Sequence, residues 1–401
     1  MTLTQPPSHR VAIVSYGVVS PLGIGKNDTA TALREGRDAV REVTAFDVSQ
    51  TKCKTAAQID PSFIDMASRQ RRRLHPAAHM LTAAMAEAIS GMGEMGNLQP
   101  ELCVIGTTSG GMTFGEKFYR AIRDGKTRSQ LATAVANYTP QKPVLDALEA
   151  VGHAIPIQII ANACATGTNA IGHAFSLIRA GRCQSILCGG YDALSELVYV
   201  GFDSLQASTS EKIRPFDTNR TGLVLGEGAA VFALENWESA ERRGAQIVGE
   251  VTGYGVSTDT FNLTQPHPSG IGPKLAMQRA LDSAGISPGE VDYINAHGTA
   301  TQFNDATEGL AISEIFNGVA VSSTKSMMGH SLGAAGAVEA AFSLLAMEHG
   351  FLPPNINALE LDSQNTFDLV ANQSRPAKIR TVLSNSFGFG GTNAAILLQR
   401  N

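Results

Sequence analysis

Residues 327–345 read MMGHSLGAAGAVEAAFSLL, a small-residue turn that runs straight into a helical stretch of Ala, Val, Phe and Leu. Within it, Ala341-Phe342-Ser343-Leu344 repeats Ala174-Phe175-Ser176-Leu177. Each copy lies in a predicted helix preceded by β-rich residues and a turn of small residues. The first turn carries Cys164 and the second carries His330. A repeat at this offset of 167 residues predicts two similar halves packed together, with a site where their turns meet.

The rest of the chain extends the pattern. RVAIVSYGVVS, LCVIGTTSG, IQIIANAC, SILCGGYDALS and GAAVFALE read as strands entering Gly- or Ser-rich turns. PAAHMLTAAMAEAIS, NAIGHAFSLIRAG, PKLAMQRALDSAG and AGAVEAAFSLLAMEHG read as helices, several closed by Gly. Such alternation predicts a layered α/β architecture with buried sheets. No Pro/Ser linker or low-complexity segment divides the 401 residues.

Only 17% of residues are charged and 43% are apolar, which implies a large buried surface and an oligomer interface. A net charge of −5 argues against nonspecific nucleic-acid binding. The N-terminus has no signal-peptide pattern, and no apolar run reaches membrane-spanning length. The five cysteines form no CxxC pair, so neither a disulfide framework nor a zinc site is expected, and a reducing cytoplasm fits best.

Gly329-His330-Ser331-Leu332-Gly333 also matches the G-x-S-x-G elbow of serine hydrolases. That reading needs an acid and then a histidine after the serine. The three come from separate strand ends, yet the only histidine after Ser331, His349, lies on the same predicted helix or just past its end, and Asp362 and Asp368 both follow it, so the order fails. A P-loop fails as well, because GGMTFGEK places Glu116 where the motif needs Lys.

Cys164, in QIIANACATGTNAIGHAF, follows a β-rich run and precedes residues that open a helix. A thiol there meets the positive end of the helix dipole, worth ~0.3–1 kcal/mol, and a nearby histidine would add to its activation. The turn suits a nucleophile or a small buried cysteine. His297, in VDYINAHGTATQFNDATE, leaves an apolar strand into Gly298, Thr299, Ala300 and Thr301. With His330, two histidines and one cysteine stand at comparable strand-to-turn junctions.

At these residues the chain closely resembles the β-ketoacyl-[acyl-carrier-protein] synthases, in their two-histidine elongating branch within the thiolase-like superfamily. The motifs run in family order over the whole length: RVAIVSYGVVSPLG, NACATG, RPFDTNRTGLVLGEGAA, NAHGTATQFND, STKSMMGHSLGAAGAVE and SNSFGFGGTNAAILL. The resemblance implies a thiolase-like fold, two similar α/β halves (1–242 with the cysteine, 243–401 with the two histidines) forming a five-layer αβαβα sandwich. It implies that Cys164 accepts the acyl group as a thioester and that His297 and His330 contact the thioester carbonyl of the incoming malonyl unit. Lys325 and Glu339 keep the family's spacing for a supporting ion pair. Thr299, Thr301 and Thr264 match positions that hold the pantetheine arm. Phe389 matches an aromatic gate whose backbone N–H shares an oxyanion hole with that of Cys164.

The implied reaction is a decarboxylating Claisen condensation that yields a 3-oxoacyl-acyl-carrier protein in fatty-acid elongation. It needs no metal and no bound cofactor, since the phosphopantetheine arrives on the acyl carrier protein. Carriers are acidic, and Arg69, Arg71, Arg72 and Arg73 supply a basic docking segment. A homodimer, or a heterodimer with a chain-length factor-like subunit, is expected.

Two features depart from the housekeeping members. Gln302 and Asn304 replace the usual Pro and Gly of the first histidine loop, a form more similar to ketosynthases of type II polyketide or aryl-polyene pathways. Ser109 falls where many fatty-acid members carry a bulkier residue closing the acyl pocket. A thiolase would carry a second catalytic cysteine near its C-terminus, whereas the last here is Cys188. Initiating synthases use Cys-His-Asn, and a noncatalytic chain-length factor would lack Cys164.

Overall fold

A computed structural model describes residues 8–60, 62–63, 74–92, 99–125 and 132–400. Its framework is a sheet pattern used twice. In the first half the strands lie in the order Val11–Ser20, Gly228–Asn236, Ser185–Asp192, Leu102–Gly106 and Ile157–Ile160. In the second the order is Gly249–Thr258, Thr392–Gln399, Thr381–Gly388, Tyr293–Asn295 and Ala320–Ser322. Numbered along each half, both orders are first, fifth, fourth, second, third. The first strands of the halves pair antiparallel over Val11–Ile13 and Gly249–Val251, so the two sheets are continuous at one edge.

The repeated Ala-Phe-Ser-Leu segments fall in equivalent helices, Thr166–Arg179 and Ala335–His349, each following the third strand of its half. These two helices pack on each other and touch strands of both sheets. In Ala335–His349 every residue from Ala335 to Met347 is buried, Glu339 included. A helix apolar on all faces is stable only when enclosed, so this one forms the central layer. Pro76–Ser90 covers the outer face of the first sheet and Ile271–Ala284 that of the second. The result is a five-layer αβαβα sandwich.

The helix boundaries follow local chemistry. Pro76 occupies the first turn, where its missing N–H costs nothing, and the His75 ring accepts from Ala77 N at 3.1 Å. Ile271–Ala284 and Ala335–His349 end on Gly285 and Gly350 with φ of 71° and 65°. Strand Val11–Ser20 is buried along its whole length, which explains its continuous apolar run.

Candidate active site

Four strand ends converge on one point. Ile157–Ile160 leads to Cys164, Tyr293–Asn295 to His297, Ala320–Ser322 to Lys325 and His330, and Thr381–Gly388 to Phe389. All four are carboxyl ends, the usual location of sites in parallel α/β sheets.

The cysteine turn is held in an unusual conformation. Ala163 has φ of 55°, left-handed for a residue with a side chain, and the turn is pinned by Thr166. The Thr166 hydroxyl donates to the Ala163 carbonyl at 2.5 Å and accepts from Asn162 N at 2.9 Å. Ala300 and Leu332, beside the two histidines, also have positive φ, at 64° and 53°. Strain of this kind costs ~1–3 kcal/mol per residue and persists where surrounding structure enforces it.

Cys164 is 7% exposed. Burial pushes its thiol up to about 12, against the pull of the Lys325 charge and the backbone N–H groups of Phe389 and Cys164. The helix-terminus activation expected from the sequence is therefore outweighed by desolvation. Gly388 fits closely here, since a Cβ at that position would lie 3.0 Å from Cys164 N.

His297 and His330 stand edge to face, ring centroids 5.2 Å apart at 85°. Burial first, then the Lys325 charge, lowers both well below the usual histidine range, so both rings are neutral at pH 7. His297 Nδ1 and both ring nitrogens of His330 are buried with no hydrogen-bond partner among the described residues. Unpaired polar atoms in such a place cost ~1–3 kcal/mol each unless a ligand satisfies them. Lys325 and Glu339, 1% and 2% exposed, form an ion pair beneath the rings. Ser331 is buried and its hydroxyl has no partner, so it has no contact with a base.

Several buried carboxylates position these turns and escaped the residue-by-residue reading. Glu308 accepts from His297 N at 2.8 Å, Gly298 N at 2.7 Å and Asn385 Nδ2 at 3.1 Å. Asp305 accepts from Ala300 N and Phe216 N. The Asn304 amide donates to Asp305 at 3.0 Å and reaches Glu308 at 3.4 Å, and Gln302 donates to the Arg220 carbonyl. The two departures in the loop thus make specific contacts. Two acids three residues apart at a helix start, directly after a histidine turn, were the available signal.

One cleft gathers most of the expected residues. Cys164, His297, His330, Thr299, Thr301, Thr264 and Phe389 line it, and it holds about 1080 Å³ of empty space, part of it open to solvent. Thr299 and Thr301 hydroxyls share a hydrogen bond of 2.8 Å. The Phe389 ring stacks on Phe202 at 5.6 Å and 21°. Ser109 is not among the residues lining this cleft; its hydroxyl donates to Asp192 Oδ1 at 2.6 Å. Arg69, Arg71, Arg72 and Arg73 lie outside the described residues.

A family model described as Beta-ketoacyl synthase, N-terminal domain, matches residues 8–240, and one described as Beta-ketoacyl synthase, C-terminal domain, matches residues 248–359. The chain is 38% identical to the 3-oxoacyl-[acyl-carrier-protein] synthase 2 of Coxiella burnetii, over 98% of each chain. Its structure is similar to that of the ishigamide ketosynthase/chain length factor, with a TM-score of 0.90 and 32% identity over 98% of this chain and 100% of that one. It is also similar to a type II polyketide ketosynthase solved in complex with its acyl-carrier protein and bound to the hexaketide. There the TM-score is 0.89 and the identity 27%, over 99% and 100% of the two chains.

Proposed function

The chain belongs to the β-ketoacyl synthase family, and from that premise we propose that it condenses a Cys164-bound acyl group with malonyl-acyl-carrier protein in fatty-acid elongation. The observation that carries this reading is one buried thiol facing two neutral histidines whose ring nitrogens lack partners.

The first half-reaction moves an acyl group from a carrier's thioester to sulfur. The Cys164 proton leaves, the sulfur attacks the carbonyl, and the carrier thiol departs with a proton. Backbone N–H groups of Cys164 and Phe389 act on the sulfur, and they would receive the oxyanion. In the second half-reaction malonyl-carrier loses CO2, and the electron pair of the broken C–C bond becomes an enolate. Neutral His297 and His330 donate N–H to that enolate oxygen, at ~2.7–4 kcal/mol for such a donor. The enolate carbon then attacks the thioester and frees the Cys164 thiolate. Lys325, ion-paired with Glu339, adds to burial in keeping the rings unprotonated.

Thr299, Thr301 and Thr264 would hold the pantetheine arm, with Phe389 as gate. The phosphopantetheine comes on the acyl carrier protein, so the enzyme itself binds no cofactor. Arg69, Arg71, Arg72 and Arg73 would dock the acidic carrier. Residues 1–242 and 243–401 would form the two halves. Among the described residues no helix is long and apolar enough to cross a membrane. Five free cysteines support a reducing cytoplasm.

A second reading, a polyketide or aryl-polyene ketosynthase paired with a chain-length factor, is favoured by Gln302 and Asn304, which make specific contacts in the first histidine loop. Tyr119 (70% exposed), Leu197 (59%) and Val135 (49%) stand on helices Met112–Arg123, Glu196–Ser204 and Ala132–Ala136, which pack together. A second subunit, alike or different, would cover them. Intact-protein mass spectrometry with a panel of acyl-carrier proteins tests both readings. Native protein should gain an acyl mass and Cys164→Ala should not; saturated chains would favour elongation, and polyenoyl or aryl chains the second reading. No adduct from any acyl carrier, with the chain alone or with a chain-length factor, would sink the condensing role.

A further inference from the structure

Asp192, at the end of strand Ser185–Asp192, is fully buried and accepts hydrogen bonds from both halves of the molecule. Oδ1 takes the hydroxyls of Thr107 (2.8 Å) and Ser109 (2.6 Å) and the Ser109 N–H (2.8 Å). Oδ2 takes the N–H of Thr108 at 2.9 Å and that of Gly333 at 2.7 Å. Gly333 stands three residues after His330. Thr108, through its hydroxyl, donates to the carbonyl of Ala163 at 3.2 Å, directly before Cys164. The space is filled: a Cβ on Gly333 would lie 2.5 Å from Thr108 N and 2.7 Å from Asp192 Oδ2.

We propose that Asp192 is a positioning residue for the condensation. Its single carboxylate ties the turn after His330 to the loop that supports Cys164, and so sets the separation of ring and sulfur. Each turn has its own local anchor. Thr166 pins the cysteine turn, and the backbone of His330 pairs with Val224 and Gly226. What neither anchor fixes is the register between the turns, and only the condensation step needs both at once. Ser109 then serves the reaction through Asp192. The carboxylate also bears on the sulfur electrostatically, since its charge raises the Cys164 thiol.

This inference rests on the condensation reading, so the test has an arm that needs no carrier. Asp192→Asn keeps the size but turns one oxygen into an N–H2 that must face existing N–H or O–H donors. The condensation kcat should fall ~10–100-fold, the scale of a small misplacement of reacting groups. KM should stay within about twofold, and acylation of Cys164 should fall less than condensation. Alkylation of Cys164 by iodoacetamide at pH 7.5, read by peptide mass spectrometry, should become faster, about threefold for each half unit by which the thiol's pKa drops. A loss of condensation larger than the loss of acylation is the split that general loosening of the fold, which also exposes the sulfur, does not produce.

Ser109→Ala, which removes one donor to Oδ1, should show a smaller loss of condensation in the same direction, and it decides the matter if Asp192→Asn does not fold. Condensation within twofold of wild type in the folded variant would overturn the proposal. So would condensation and acylation falling equally, together with the melting temperature. If wild type accepts no acyl group at all, the condensation reading fails instead, and the alkylation arm still tests the link between Asp192 and the sulfur.

Discussion

Lys325→Met leaves Glu339 as a buried charge without its partner. The carboxylate is 2% exposed, its Oε1 is bound by Lys325, and its Oε2 already lacks a hydrogen bond. Breaking one side of such a pair costs ~3–5 kcal/mol, because the remaining ion keeps its desolvation penalty and loses its compensation. Burial raises the Glu339 carboxyl above its ordinary value and Lys325 opposes that rise, so in the variant the rise is larger. A group whose folded pKa lies above its unfolded value, ~4.3 for Glu, contributes full stability below the unfolded value and loses it as pH rises through the folded one. Urea unfolding of variant and wild type should therefore nearly coincide at pH 5. Burial already raises the wild-type carboxyl to about 7, so the two proteins lose this contribution alike up to that pH; above it the gap should widen by up to ~1.36 kcal/mol per pH unit, to ~2 kcal/mol by pH 8.5. Lys325→Met/Glu339→Leu should recover most of the loss, since a packed apolar pair of similar volume needs no compensation. A gap under ~1 kcal/mol at pH 8.5, or one that does not change with pH, would refute the reasoning. Activity need not return in the double variant, because Lys325 also helps keep His297 and His330 neutral.

Glu308→Ala should orphan the N–H groups of His297 and Gly298 together with the Asn385 amide, at ~1–3 kcal/mol each. Hydrogen exchange at residues 297 and 298 should accelerate and condensation should drop, while Cys164 acylation is largely spared; unchanged exchange would contradict the anchoring role. In the free enzyme, Cys164 alkylation should climb steadily from pH 7 to pH 10 without a plateau, because burial pushes the thiol up to about 12. A plateau near pH 7 would mean that the N–H groups and Lys325 outweigh burial.

Much of the site was legible because its residues sit at junctions with local signals. Cys164, His297 and His330 each follow a β-rich run and precede small residues, and the strand and helix patterns around them correspond to observed elements. Relative placement also told against Ser331 as a hydrolase nucleophile, since the acids between it and the last histidine, Glu339 and Glu348, share one helix with that histidine instead of standing at separate strand ends. Asp192 drew no notice because its partners, residues 107–109 and Gly333, are distant in the chain and three of the five bonds it accepts come from backbone N–H groups. Every residue except proline has such a group, so no side-chain pattern marks it.

The amino-acid sequence by itself determined the repeated α/β framework and the strand-to-turn placement of Cys164, His297 and His330, because periodicity and turn chemistry act over a few neighbouring residues. Tertiary structure alone decided the protonation of the site and its spacing. A thiol at a helix start would be activated in water, yet here it is held protonated, and two histidines that would titrate near neutrality are held neutral. Desolvation produces both effects, and it depends on which distant segments exclude water from a point that no local stretch of chain encloses.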